Sequence, residues 1–144
     1  MKQGGYKKVI ALALALGPLS AWADIAVIVN PGYSATSATA DDLSKVFLGK
    51  ADTIGGGAHL TPLDQPEGNA SRTAFYEKVC NKNAAQLNAY WSRLIFTGQG
   101  QPPKVIEGGD AAVVDAVAKS ADAIGYVSST AVTASVKVLA TFPN

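Results

Sequence analysis

In 144 residues the chain has one cysteine, one histidine and one methionine, and each scarcity closes off a class of function. A lone Cys80 excludes an internal disulfide and any Cys-x-x-Cys redox or zinc pair. It follows Val79 on the inward face of an expected helix, where a small buried apolar residue is the reading. A lone His59, with no Cys, His or carboxylate cluster at ligand spacing, argues against a metal. Any Ser-His-Asp arrangement would have to recruit that histidine, and no serine stands in a G-x-S-x-G elbow. The run Gly55-Gly56-Gly57 lacks the following Lys-Ser or Lys-Thr of a phosphate-binding P-loop and reads as a turn. No cofactor, no metal and no enzyme activity are expected.

Charge is scarce as well, at 16% Asp, Glu, Lys and Arg, and no long apolar run is present. The apolar run Val9 to Leu16 is too short to span a bilayer stably. It follows the basic Lys2, Lys7 and Lys8 and precedes Ala21-Trp22-Ala23, an A-x-A cleavage site. Residues 1–23 therefore read as a secretory signal removed before Asp24. No cysteine sits at the cleavage point to carry a lipid. The expected product, residues 24–144, is a single periplasmic domain without stable membrane insertion. Losing three lysines takes the basic count from 12 to 9 against 11 acidic residues. A balance of −2 with no basic patch excludes nucleic acid as the natural partner.

What is present is an alternation of strand-like and helix-like segments. Ile25 to Val29 is an unbroken apolar run, read as a buried strand and closed by the turn Asn30-Pro31-Gly32. Thr39 is positioned to cap a helix carrying Leu43, Val46 and Phe47, ended by Gly49. A strand at Leu60 to Leu63 precedes a helix with Phe75, Tyr76, Val79 and Cys80 as its apolar stripe. A second helix, Ala84 to Phe96, presents Leu87, Tyr90, Trp91, Leu94 and Ile95 on one face. After a loop from Thr97 to Lys104 come a strand at Val105 to Glu107 and a helix from Asp110 to about Lys119. Strands at Ala123 to Val127 and Val136 to Leu139 complete the order. This predicts an α/β fold, a single three-layer α/β/α lobe with a mostly parallel mixed sheet.

The strand, turn and helix start from Leu60 to Cys80 carry the functional question. A helix start at a strand end offers unpaired N–H groups and the positive end of a dipole, a ready seat for an anion. Asn69 is equally an ordinary N-cap, accepting from the N–H of Ser71 or Arg72. Asp64 and Glu67 bracket the turn and add negative charge where an anion would sit. Arg72, in the first helical turn, either swings back to an anion or lies on a solvated face. Tyr33 and Ser34, after the first strand, are secondary candidates because loops at strand ends line the usual crevice of open α/β sheets.

The segments LSKVFLG at Leu43 to Gly49, Leu60 to Phe75, and AIGYV at Ala123 to Val127 occur in an order and spacing that resembles the second lobe of the periplasmic phosphate-binding proteins of ABC transporters. That resemblance implies a periplasmic-binding-protein-like lobe, standing alone without the first lobe that closes on phosphate in the family. It also implies a site. The family turn reads Arg, a few residues, then Gly-Ser-Gly-Thr, and the matching positions here are Gln65, Asn69, Ala70 and Ser71, with Arg72 following. Gln65 replaces a guanidinium, whose permanent charge and bidentate geometry an amide does not reproduce. The expected function is that of a solute-binding protein holding phosphate or another oxyanion weakly at Gln65, Asn69, Ala70, Ser71 and Arg72. The alternative is an interaction or sensor-accessory module of the cell envelope, docking a transporter or envelope protein and no longer holding an anion.

Overall fold

The computed structural model describes residues 23–144; apart from Ala23, the expected signal sequence lies outside the described residues. The elements run β1 (Ile25–Val29), α1 (Ala40–Phe47), β2 (Thr61–Asp64), α2 (Ala70–Cys80), α3 (Ala84–Phe96), β3 (Lys104–Val105), α4 (Asp110–Lys119), β4 (Ala123–Ser128) and β5 (Lys137–Phe142). A single turn of 3-10 helix, Ser129–Ala131, follows β4.

The five strands form one sheet in the order β3-β2-β4-β1-β5. β2 pairs in parallel with both β3 and β4, while β1 pairs antiparallel with β4 and β5. Four strands therefore share one direction and β1 alone is reversed between two of them. The sheet is mixed, as the sequence predicts, but it is not mostly parallel in its pairing: the two longer of its four pairings, both made by β1, are antiparallel. Its reversed strand was not predictable from β1 itself. All five residues of Ile25–Val29 are buried, and a strand buried on both faces reads the same in either direction.

That double burial builds the three layers. Ile25, Val27 and Val29 join a core with Leu43, Phe47, Phe75, Leu87 and Trp91, from α1, α2 and α3. Ala26 and Ile28 point the other way, onto Val113, Val114 and Val117 of α4. Strand alternation at period two divides one apolar run between two cores.

Helix ends follow the sequence closely. Thr39 and Asp42 form a reciprocal capping box on α1, and Asn83 with Gln86 forms another on α3. α2 stops at Asn81, whose left-handed backbone (φ 54°) lets its N–H reach the Tyr76 carbonyl. Asn30 spans from the first turn to the end of α4, donating to the Val117 and Ala118 carbonyls at 3.3 and 3.1 Å.

Three segments differ from expectation, the first being β3, expected at Val105 to Glu107 and found only as Lys104–Val105. α3 buries only Leu87 and Trp91, and Ile95 is 48% exposed, because the helix lies at the rim of its core and turns its last residues to solvent. β5 extends to Phe142, since every residue from Ile25 to Val29 has a partner on it.

Gly125 explains the small residue within AIGYV. A Cβ there would come within 2.7 Å of the Val113 methyl and 3.4 Å of that of Val117, so α4 sits on the sheet only because β4 lacks a side chain. Gly125→Ala is expected to cost about 1–3 kcal/mol through overpacking. Urea unfolding would show it as a lower midpoint at unchanged slope.

Candidate functional site

The C-terminal ends of β2 and β4 lie side by side, and the chain leaves β2 through Gln65 into the start of α2. Pairing of Thr61 with Ala123 and Pro62 with Ile124 sets that register. Four residues at these ends are locked to one another by a buried carboxylate. Asp64, 3% exposed, accepts from the Gln65 N–H at 2.8 Å, the Arg72 Nε at 3.3 Å, the Tyr76 hydroxyl at 3.0 Å and the Tyr126 hydroxyl. Tyr126 stacks flat on Phe75 at 4.4 Å between ring centres and meets Phe47 and Tyr76 edge-on. An aromatic cluster thus closes over the charge and shields it from water.

Arg72 and Asp64 correct two readings of the sequence. The Arg72 side chain turns inward, with its guanidinium 5.3 Å from the centre of the Tyr76 ring. Burial by itself would lower its pKa, but the charge and hydrogen bond of Asp64 outweigh that and raise it. It neither swings back over the turn nor lies on a solvated face. Asp64, for its part, is consumed internally and adds no free charge beside the turn. Glu67 does remain exposed, accepting from Asn88 at 3.2 Å.

Gln65 is 1% exposed and its amide is fully committed. Nε2 donates to the Asp110 carboxylate and to the Tyr126 carbonyl, both at 3.0 Å, and Oε1 accepts from the Asn69 Nδ2 at 3.1 Å. Asn69 is the N-cap of α2, accepting from the Arg72 N–H at 3.0 Å. The side chains of Gln65, Asn69 and Arg72 therefore serve as the frame of the turn.

Ala70 and Ser71 stand at its open side. Their backbone N–H groups, the first of the helix, find no acceptor among the described residues. A cavity of about 130 Å³ lies against Ala70 and Ser71, lined also by Ile25, Ser128 and Asn144 and by Ala23, the last residue of the expected signal sequence. The structure brings all five predicted residues into one neighbourhood; Ala70 and Ser71 border the cavity, and the Ser71 hydroxyl donates to the Asp110 carboxylate at 3.3 Å. Ser128, at the end of β4, and Asp110, at the start of α4, are members of this neighbourhood that sequence reasoning missed. Both follow strand ends that the topology brings to the same rim, and an acid immediately after Gly108-Gly109 was the one available signal for Asp110.

Other candidates have structural explanations. The Tyr33 hydroxyl is buried, donating to the Ala58 carbonyl at 2.7 Å and accepting from the Ile54 N–H at 3.2 Å, so it pins the glycine turn. His59 is exposed beside Asp52 at 3.3 Å, on the rim of an open groove of about 400 Å³ at the opposite end of β2. Cys80 is buried, and burial pushes its thiol up from 9.0 to about 11. Among the described residues, no cluster of His, Cys, Asp and Glu is arranged to hold a metal ion. None of the described helices is long and apolar enough to cross a membrane.

Two consequences are testable. Asp64→Asn should destabilise the protein by about 3–5 kcal/mol, because it leaves the Arg72 charge buried without its partner; denaturant unfolding measures it. Burial raises the pKa of Tyr76 well above its ordinary 10.0, with the Asp64 charge adding to the shift, and burial raises Tyr126 likewise. A raised folded pKa means that the native state keeps a proton the unfolded chain has lost, so stability is whole below pH 10 and falls as pH rises beyond it. A melting series should fall above about pH 10, with phenolate absorbance from these two residues appearing only on unfolding.

No protein-family model and no curated protein sequence matches this chain. Solved structures do match in fold. A phosphate ABC transporter substrate-binding protein from Clostridium perfringens, solved with bound phosphate, superposes with a TM-score of 0.63 at 24% identity, over 83% of this chain and 45% of that one. An ABC-type phosphate transport receptor from Vibrio cholerae gives 0.65 at 16% identity, over 83% and 46%. PstS from Borrelia burgdorferi gives 0.63 at 15%, over 83% and 47%. The chain has the fold of a single lobe of such proteins and spans less than half their length.

Proposed function

We propose that the protein is a periplasmic solute-binding lobe, not an enzyme, that holds a small oxyanion such as phosphate weakly at the start of α2. The observation that carries this reading is the 130 Å³ cavity against the unpaired N–H groups of Ala70 and Ser71, with the Ser128 side of β4 completing its wall. Gln65, Asn69 and Arg72 hold the turn in shape. The fold likeness to phosphate-binding proteins supports the class of ligand.

Weakness follows from geometry. One lobe covers one side of an anion and leaves the rest in water, and most of a small ligand's affinity comes from its buried surface. Gln65 also stands where the resemblance calls for a guanidinium, and among the described residues no cationic side chain lines the cavity. Periplasmic residence rests on the signal-like residues 1–23.

A second reading, an envelope interaction module that holds no anion, is favoured by a different observation. The turn's side-chain donors are committed internally, and Phe96, at the end of α3, is 92% exposed beside the half-exposed Ile95. Large apolar side chains held in water mark interaction surfaces more often than accidents when they occur together.

One titration separates the two. Calorimetry and thermal melting of the purified protein with phosphate and sulfate should show saturable binding in the millimolar range, with a melting shift that grows with anion concentration. Ala70→Pro, which removes one of the two unpaired N–H groups at the first helical position, where proline is tolerated, should weaken it several-fold. Absence of heat and of any melting shift at tens of millimolar would favour the interaction module.

A further inference from the structure

Asp110 is the first residue of α4, and its carboxylate is held by groups from three other parts of the chain. One oxygen accepts from the Gln65 Nε2 at 3.0 Å. The other accepts from the Ser71 hydroxyl at 3.3 Å and the Ser128 backbone N–H at 3.0 Å. Among the described residues no Lys, Arg or His pairs with it. An amide, a hydroxyl and a backbone N–H converging on one anionic group are the donor types that hold an oxyanion from solution. The same Ser71 and Ser128 border the open cavity.

We propose that the Asp110 carboxylate is a tethered anion that occupies the donor set of this lobe, so that a free oxyanion gains those donors only by displacing it. The proposal rests on the oxyanion reading above and states how that site is controlled. Two negative groups sharing neutral donors repel at short range, and among the described residues no Lys, Arg or His side chain pairs with Asp110 to offset that repulsion. Displacement is opposed further because the incoming anion has to match three hydrogen bonds that the tether already makes without loss of translational freedom. The lobe is therefore self-occupied at rest. Anything that draws the start of α4 away from Ser71 and Ser128 would free the donors together.

The test compares the protein with Asp110→Asn, which keeps the shape and removes the charge, and Asp110→Ala, which removes the occupant. Circular dichroism and melting establish that each is folded. Phosphate titration should give a dissociation constant at least tenfold lower in both variants than in the parent. A second measurement uses the parent alone, following amide and side-chain resonances by nitrogen-15 NMR during a phosphate titration. Displacement moves the Ser128 N–H and the Gln65 side-chain NH₂ together with the Ala70 and Ser71 N–H groups. Shifts confined to Ala70 and Ser71, or folded variants that bind no more tightly than the parent, overturn the tether and leave the oxyanion reading standing. If neither the parent nor the variants bind phosphate or sulfate, both fall. Binding gained only in the variants upholds the tether and rejects a resting anion site.

Discussion

A carboxylate removed from water has to be answered by donors, and Asp64 is answered by four of them, from α2, β4 and the turn that follows β2. Its oxygens collect the next residue's N–H, a guanidinium from α2 and two phenol hydroxyls, one from α2 and one from β4. Removing any partner would leave a charge or dipole without its counterpart in a low-dielectric interior, which costs far more than the interaction contributes in water. The end of β2, the first two turns of α2 and the end of β4 are fixed in one arrangement as a result. Gln65 inherits its burial from this arrangement, because its N–H is bound on one side and the Tyr126 carbonyl waits on the other. The shape of the neighbouring turn is thus imposed from beneath.

Much of this fold was legible before any coordinates. Thr39 and Asn69 read as caps and are caps, the apolar run Ile25 to Val29 read as a buried strand and is one, and α1, α3 and α4 end within two residues of expectation. These features are local: capping chemistry and periodicity act over a few residues, so the sequence carries them openly. Strand direction and the last residues of α3 were not legible, since they depend on which neighbour arrives at each face. The site divides in the same way. Its location at a strand-to-helix turn was visible in Leu60 to Cys80. Which side chains face outward was not, because Arg72 and Asp64 pair across the strand-to-helix turn, and Asp110 and Ser128 come from distant segments of sequence.

Likeness of fold at 15–24% identity and under half the partner's length carries the architecture and leaves the chemistry to the site. In this chain the helix start is kept, its flanking cation is turned into a structural strut, and its outward donors are shared with an acid from α4. The differences from the turn that the resemblance implies lie in side chains: Gln65, Arg72 and Asp110 are all engaged within the fold.

The reversal of β1 has a kinetic side. β1 is the earliest strand in the chain, yet its two partners, β4 and β5, are the last two. The middle of the sheet cannot pair until the final twenty or so residues have emerged, and contacts that join the two ends of a chain close slowly. Until then five consecutive apolar residues with strong strand preference have no native partner, which is the condition under which chains find each other instead. The sheet order thus leaves the apolar run of β1 without its native partners until β4 and β5, about a hundred residues further along, have been made.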